Sequence, residues 1–128
     1  MPATARGTFE VRFQTGPAEL GGAVTRQSFT KTFRGDLEGT GSGLMLSCGS
    51  PRSGSAGYVA IEIVDGSLSG RSGRFALQQL GMMHAGEQTL HYEVVPGAGE
   101  GELSGLTGSL TLIVEPGGIH RYVLGYEL

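Results

Sequence analysis

At 128 residues the chain suffices for one domain with one core and is too short for two, so residues 1–128 are taken as a single domain. Nine basic and twelve acidic residues, a formal charge of -3, form no cluster of the kind phosphate backbones require, which excludes nucleic acid as a partner. No apolar run is long enough to span a membrane as a helix, residues 1–7 lack the apolar stretch of a secretory signal, and a single cysteine, Cys48, forbids an internal disulfide; the expectation is a cytoplasmic protein with no membrane partner.

In chain order the pattern is that of strands. Phe9, Val11 and Phe13 alternate with Glu10 and Arg12, the period of two that a half-buried strand requires. Leu44, Leu46 and Cys48 fall in one phase, which predicts Cys48 as a small buried hydrophobe. The run Ser50 to Gly57 reads as a mobile loop able to rim a barrel mouth. From Tyr58 to Val64 both faces are apolar: Val59, Ile61 and Ile63 on one, Tyr58, Ala60 and Val64 with Glu62 on the other. A single-layer barrel buries only one face, so the strand carrying Val59, Ile61 and Ile63 predicts a homo-oligomer contact.

Further on, Phe75 and Leu77 alternate with Arg74, and Met82 to Ala85 is bracketed too closely by Gly81 and Gly86 to form a stable helix. Pro96 to Gly101 interrupts the strand Glu87 to Val95 and is expected to form a glycine bulge before the chain resumes at Leu103. Near the C-terminus His120, Tyr122, Leu124 and Tyr126 alternate with Arg121 and Glu127.

Glycine is in excess, at 24 residues, and much of it lies in a repeat. The segments Gly66 to Leu77 and Gly101 to Leu112 share six of twelve positions in the pattern G-x-L-x-G-x-x-G-x-Φ-x-L, and a looser copy begins Gly35-x-Leu37-x-Gly39. Each copy reads as strand, tight glycine turn, strand. Gly97-x-Gly-x-Gly101 and Gly39-x-Gly-x-Gly43 superficially match phosphate-binding loops but open no helix, and are read as hairpin glycines. About eight strands in up-and-down order would leave two exposed edges unless the sheet closes, so the fold class is all-β, a closed antiparallel barrel, with a two-sheet sandwich as the rival. Such a barrel holds packed side chains or one small ligand.

The segments Thr30 to Gly39, Gly66 to Gln78, Val94 to Gly108 and His120 to Leu128 together resemble a bacterial family of unknown function, over nearly the whole chain. That resemblance implies a barrel similar to plant allene oxide cyclase, within the lipocalin-like group. It also implies a histidine after Leu77-Gln78, where this chain has Gln79.

The inward face of a barrel is where polar groups must find a partner or a ligand. By phase, Glu62, Gln79, His120, Tyr122 and Tyr126 point inward and are the candidate ligand-binding residues, with Glu62 or His120 as acid or base and the tyrosines and Gln79 holding a substrate oxygen. The same residues would equally serve as hydrogen-bonded core. His84, His91 and His120 lack metal-ligand spacing, so no metal and no cofactor is expected. A small, partly apolar ligand bound inside the barrel, an isomerase- or cyclase-type enzyme, and a packed structural oligomer are the three functions compatible with these residues.

Overall fold

The computed structural model describes residues 2–128 and is built almost entirely of antiparallel strands. These are β1 (Pro2–Thr15), β2 (Thr25–Gly35), β3 (Leu37–Ser50), β4 (Ser55–Leu68), β5 (Arg71–His84), β6 (Glu87–Val94), β7 (Glu100–Gly101), β8 (Thr107–Glu115) and β9 (Ile119–Glu127). Short 3-10 turns occupy Leu20–Gly22 and Pro51–Ser53. Each long strand pairs with its sequence neighbour, β1 pairs with β9, and β6 pairs with β8, so eight strands close on themselves in up-and-down order. The two-residue β7 adds to β5 outside the ring. Closure satisfies both edges. The β6–β8 junction is the exception in strength, because Glu93 and Ser109 are its one registered pair, where β8 and β9 run together from Thr107 to Glu115.

Period two decides what faces inward. Phe9 on β1, Phe29 and Phe33 on β2, Val64 on β4, Phe75 and Leu77 on β5, Tyr92 and Val94 on β6 and Leu110 on β8 are all buried. One end of the barrel is plugged. The three repeat leucines, Leu37, Leu68 and Leu103, all lie there with Leu106 and are essentially inaccessible. One repeat copy, Gly66 to Leu77, forms the tight β4–β5 connection as expected; in the looser copy the β2–β3 turn falls at its very start, Gly35 to Leu37, and not among its later glycines. The third does not form a hairpin, and Pro96 to Gly101 is not a bulge: residues 95–106 fold across the barrel end, tied by Glu102 N–H to the Ser72 carbonyl (2.9 Å) and Leu106 N–H to the Leu103 carbonyl (3.1 Å). Burying Leu103 and Leu106 requires a longer excursion than a bulge provides.

Gly39, Gly66, Gly73 and Gly101 are successive partners across β3, β4, β5 and β7. A β-carbon at Gly39, Gly66 or Gly73 would fall 2.1–2.3 Å from a neighbouring carbonyl oxygen, so only glycine permits the strands to coil this tightly at the plugged end.

Three segments of the chain correct the sequence reading. Cys48 is exposed, because Leu44, Leu46 and Cys48 occupy the outer phase of β3; the apolar phase here marks the outer wall rather than the core. Gly39, Gly41 and Gly43 are not hairpin glycines but lie within β3, in its inward phase. The expected loop from Ser50 to Gly57 is confined to a tight turn over Pro51 to Gly54, since Ser50 ends β3 and Ser55 to Gly57 already belong to β4. No helix among the described residues is long and apolar enough to cross a membrane.

Candidate functional site

The end opposite the leucine plug is open. A cavity of about 790 Å³ enters there, its walls made by Phe13, Phe29, Met45, Leu90 and Leu112 and its lower part by Phe9, Lys31, Tyr92 and His120. The β1–β2, β3–β4, β5–β6 and β8–β9 connections surround this mouth, and Pro51 of the β3–β4 turn lines it.

At the floor lies a charged cluster. Lys31, the only lysine of the chain, sits between Phe29 and Phe33 in the inward phase of β2 and is 6% exposed; Glu62 is 1% exposed on β4. Lys31 Nζ donates to Glu62 Oε1 at 2.9 Å and to the Tyr92 hydroxyl at 2.6 Å, and the Tyr92 hydroxyl donates to that same Glu62 oxygen. Glu62 Oε2 is buried and has no hydrogen-bond partner. The ammonium lies 4.6 Å from the ring centre of Phe9, 5.1 Å from Tyr92, 5.2 Å from Phe29 and 5.9 Å from Phe33, so four aromatic rings surround it.

Lys31 and Glu62 are on strands that do not pair; β3 runs between them. Lys31 is opposite Gly41, and Glu62 is opposite Gly43. Two strand spacings, about 9–10 Å, separate their backbones. The side chains meet across β3 because its inward phase there is glycine: a β-carbon at Gly41 would lie 3.0 Å from Glu62 Oε2, and one at Gly43 would lie 2.3 Å from the Phe29 ring. The mid-strand glycines are therefore the space in which the ion pair forms.

Burial lowers the pKa of the Lys31 ammonium, and the nearby Glu62 charge offsets this in part. Burial, and secondarily the Glu62 carboxylate, holds the Tyr92 hydroxyl well above the ordinary phenol range, and the same two causes raise Tyr58. Tyr58 donates to Gln79 Oε1 at 2.9 Å on the cavity wall.

Of the five candidates taken from the sequence, Gln79 and His120 line the cavity, His120 stacking on Phe9 with ring centres 5.1 Å apart. Glu62 lies just behind Lys31 and Tyr92. Tyr122 and Tyr126 are not brought to this site. Tyr122 is built into the plugged half, where its hydroxyl accepts from Leu37 N–H at 2.9 Å and faces the Arg34 and Leu37 carbonyls at 3.0 and 3.2 Å. Tyr126 packs against the edge of the core. Lys31 and Tyr92 were missed, although each interrupts an apolar phase, Phe29-x-Lys31-x-Phe33 and Leu90-x-Tyr92-x-Val94, and a charge in that phase signals an interior ion. Among the described residues no three His, Cys, Asp or Glu side chains converge as a metal site.

Together these features define an eight-stranded up-and-down barrel with one plugged end, one open end and an ionised floor. Residues 5–126 match the family described as protein of unknown function (DUF3224), and the chain belongs to that family. It is 42% identical to a protein of unknown function of the same family from Shewanella oneidensis MR-1, whose crystal structure superposes with a TM-score of 0.92 over 100% of this chain and 98% of that one. No curated protein matches.

Proposed function

We propose that the protein binds one small, partly apolar molecule carrying a neutral oxygen, a carbonyl or hydroxyl, in the open half of the barrel. The observation that carries this is the Lys31 ammonium at the cavity floor: it has three N–H donors and two protein acceptors, which leaves one for a ligand. Glu62 already balances its charge, so an anionic ligand would bring a second, uncompensated charge among aromatic rings; a neutral oxygen does not. Gln79, whose carbonyl is taken by Tyr58, has its NH2 group available on the wall. The aromatic and aliphatic walls suit the rest of the molecule.

An isomerase- or cyclase-type reaction is the second reading, in keeping with the resemblance to the allene oxide cyclase barrel. It is favoured by the hydrogen-bonded amine, carboxylate and phenol below a shaped apolar cavity, groups able to move a proton between them. An interior filled only by side chains would leave no space of this volume.

We also infer that a second copy covers the outer wall of β3, β4 and β5. Leu44 pairs with Ile61, and Leu46 with Val59, which pairs in turn with Leu80; all are about half exposed. Arg26 borders this patch beside Leu46, and Glu93 borders it beside Gln78. A two-fold axis along the strands sets the Arg26 border of one copy against the Glu93 border of the other.

Native mass spectrometry of protein purified gently from its host, with release of bound molecules, tests the binding proposal. A stoichiometric neutral oxygenated compound is expected. A clean apo protein, unchanged after incubation with host metabolite extract, would overturn it.

A further inference from the structure

We propose that Lys31 is a carbonyl-capturing amine: the cavity admits an aldehyde or ketone, and the Lys31 nitrogen condenses with its carbonyl carbon to form an iminium. This rests on the cavity taking a ligand, and names the class.

Four features of the site converge on it. The ε-amine is at the floor of a cavity open to the exterior, with its third N–H position unassigned. Glu62 Oε1 at 2.9 Å is placed to take the ammonium proton, and Tyr92, bonded to both groups, completes a closed set through which a proton can return. Glu62 Oε2, buried without a partner, is an acceptor that the fold itself leaves unused, so the carboxylate beside Lys31 keeps a free lone pair for a proton. Phe9, Phe29, Phe33 and Tyr92 enclose the nitrogen, limiting the water that would hydrolyse the product. Stability alone is a poor reason for this arrangement, since a buried ion pair is generally no better than apolar side chains of similar volume. Burial also favours the uncharged amine, the nucleophilic form.

The step balances without a co-reactant. Lys31 passes one proton to Glu62; the nitrogen lone pair attacks the carbonyl carbon as the C=O π pair moves to oxygen, which takes a proton from the new ammonium. Glu62 then returns its proton to that oxygen, the C–O bond breaks, and water leaves. The products are a protonated C=N bond on Lys31, an ionised Glu62 and one water, with the net charge unchanged.

The test uses decanal with sodium cyanoborohydride, which reduces an iminium to a stable secondary amine, read by intact mass and peptide mapping. Because Lys31 is the one lysine, the N-terminal amine is the only competing primary amine and serves as an internal control. The expected result is one decyl group per chain at Lys31, formed before the N-terminus reacts, absent in Lys31→Arg, and formed about a hundredfold more slowly in Glu62→Gln. Decan-1-ol, which can bind but not condense, is measured in parallel by native mass spectrometry. If decan-1-ol binds and decanal leaves wild-type Lys31 unmodified, the amine proposal is overturned and the cavity stands. If neither binds nor reacts, both fall. The wild-type map alone decides the matter should either variant fail to fold.

Discussion

Lys31 and Glu62 meet across an intervening strand at 2.9 Å, over two glycines that carry no side chain to separate them. The contact ties β2 to β4 without passing through the hydrogen bonds of β3. It is also a pair of opposite charges removed from water, so each partner depends on the other.

Glu62→Gln, which strands the Lys31 charge, should destabilise the barrel by about 3 kcal/mol in urea denaturation. The double variant Lys31→Met with Glu62→Gln should recover most of that loss, because no unpaired charge remains. Additive losses in the double variant would show that the two groups are not coupled.

The alkaline limb of stability follows from the tyrosines. Tyr58, Tyr92 and Tyr122 have raised pKa values in the fold, so above pH 10.0 the unfolded chain ionises first and stability falls as pH rises. Lys31 acts oppositely: its lowered pKa means the unfolded chain holds the proton more firmly, and stability rises with pH between that lowered value and 10.5. Melting temperatures should therefore drop above about pH 10, and Tyr92→Phe should make that drop shallower.

Tyr122→Phe removes a hydroxyl from the plugged end and leaves the Leu37 N–H without its acceptor. A loss of about 1–3 kcal/mol is expected. Decan-1-ol binding should be unchanged, since Tyr122 does not line the cavity. Loss of binding at full stability would reverse the assignment of Tyr122 to the structural half.

On the outer wall, Ile61→Glu should yield a monomer in sedimentation velocity, while the wild type sediments as a dimer or larger at micromolar concentration. Because Ile61 is half exposed, urea stability of the isolated barrel should change little. A wild-type monomer would refute the second-copy proposal.

The barrel was legible in the sequence because alternation fixes which residues share a face: Phe9 with Val11, Phe75 with Leu77, Tyr122 with Leu124 and Tyr126. The same signal misled at Leu44, Leu46 and Cys48, where the outer phase of β3 carries the apolar residues and the inner phase carries Gly39, Gly41 and Gly43. A glycine phase reads as turns when its purpose, room for a contact between the strands on either side, involves residues distant in sequence. Glu62, Gln79 and His120 could be placed by phase. That Glu62 meets Lys31 could not, because the register across β3 is set by the whole ring of pairings.

The junction between β6 and β8, held at one registered pair, gives the ring a built-in place to part. Elsewhere amides are locked into long ladders, whereas those along this line should exchange with deuterium first, ahead of global unfolding. Mechanically the molecule is then a curled ribbon fastened by a single clasp, and a ligand wider than the mouth could be admitted by lateral parting there without disturbing the leucine plug.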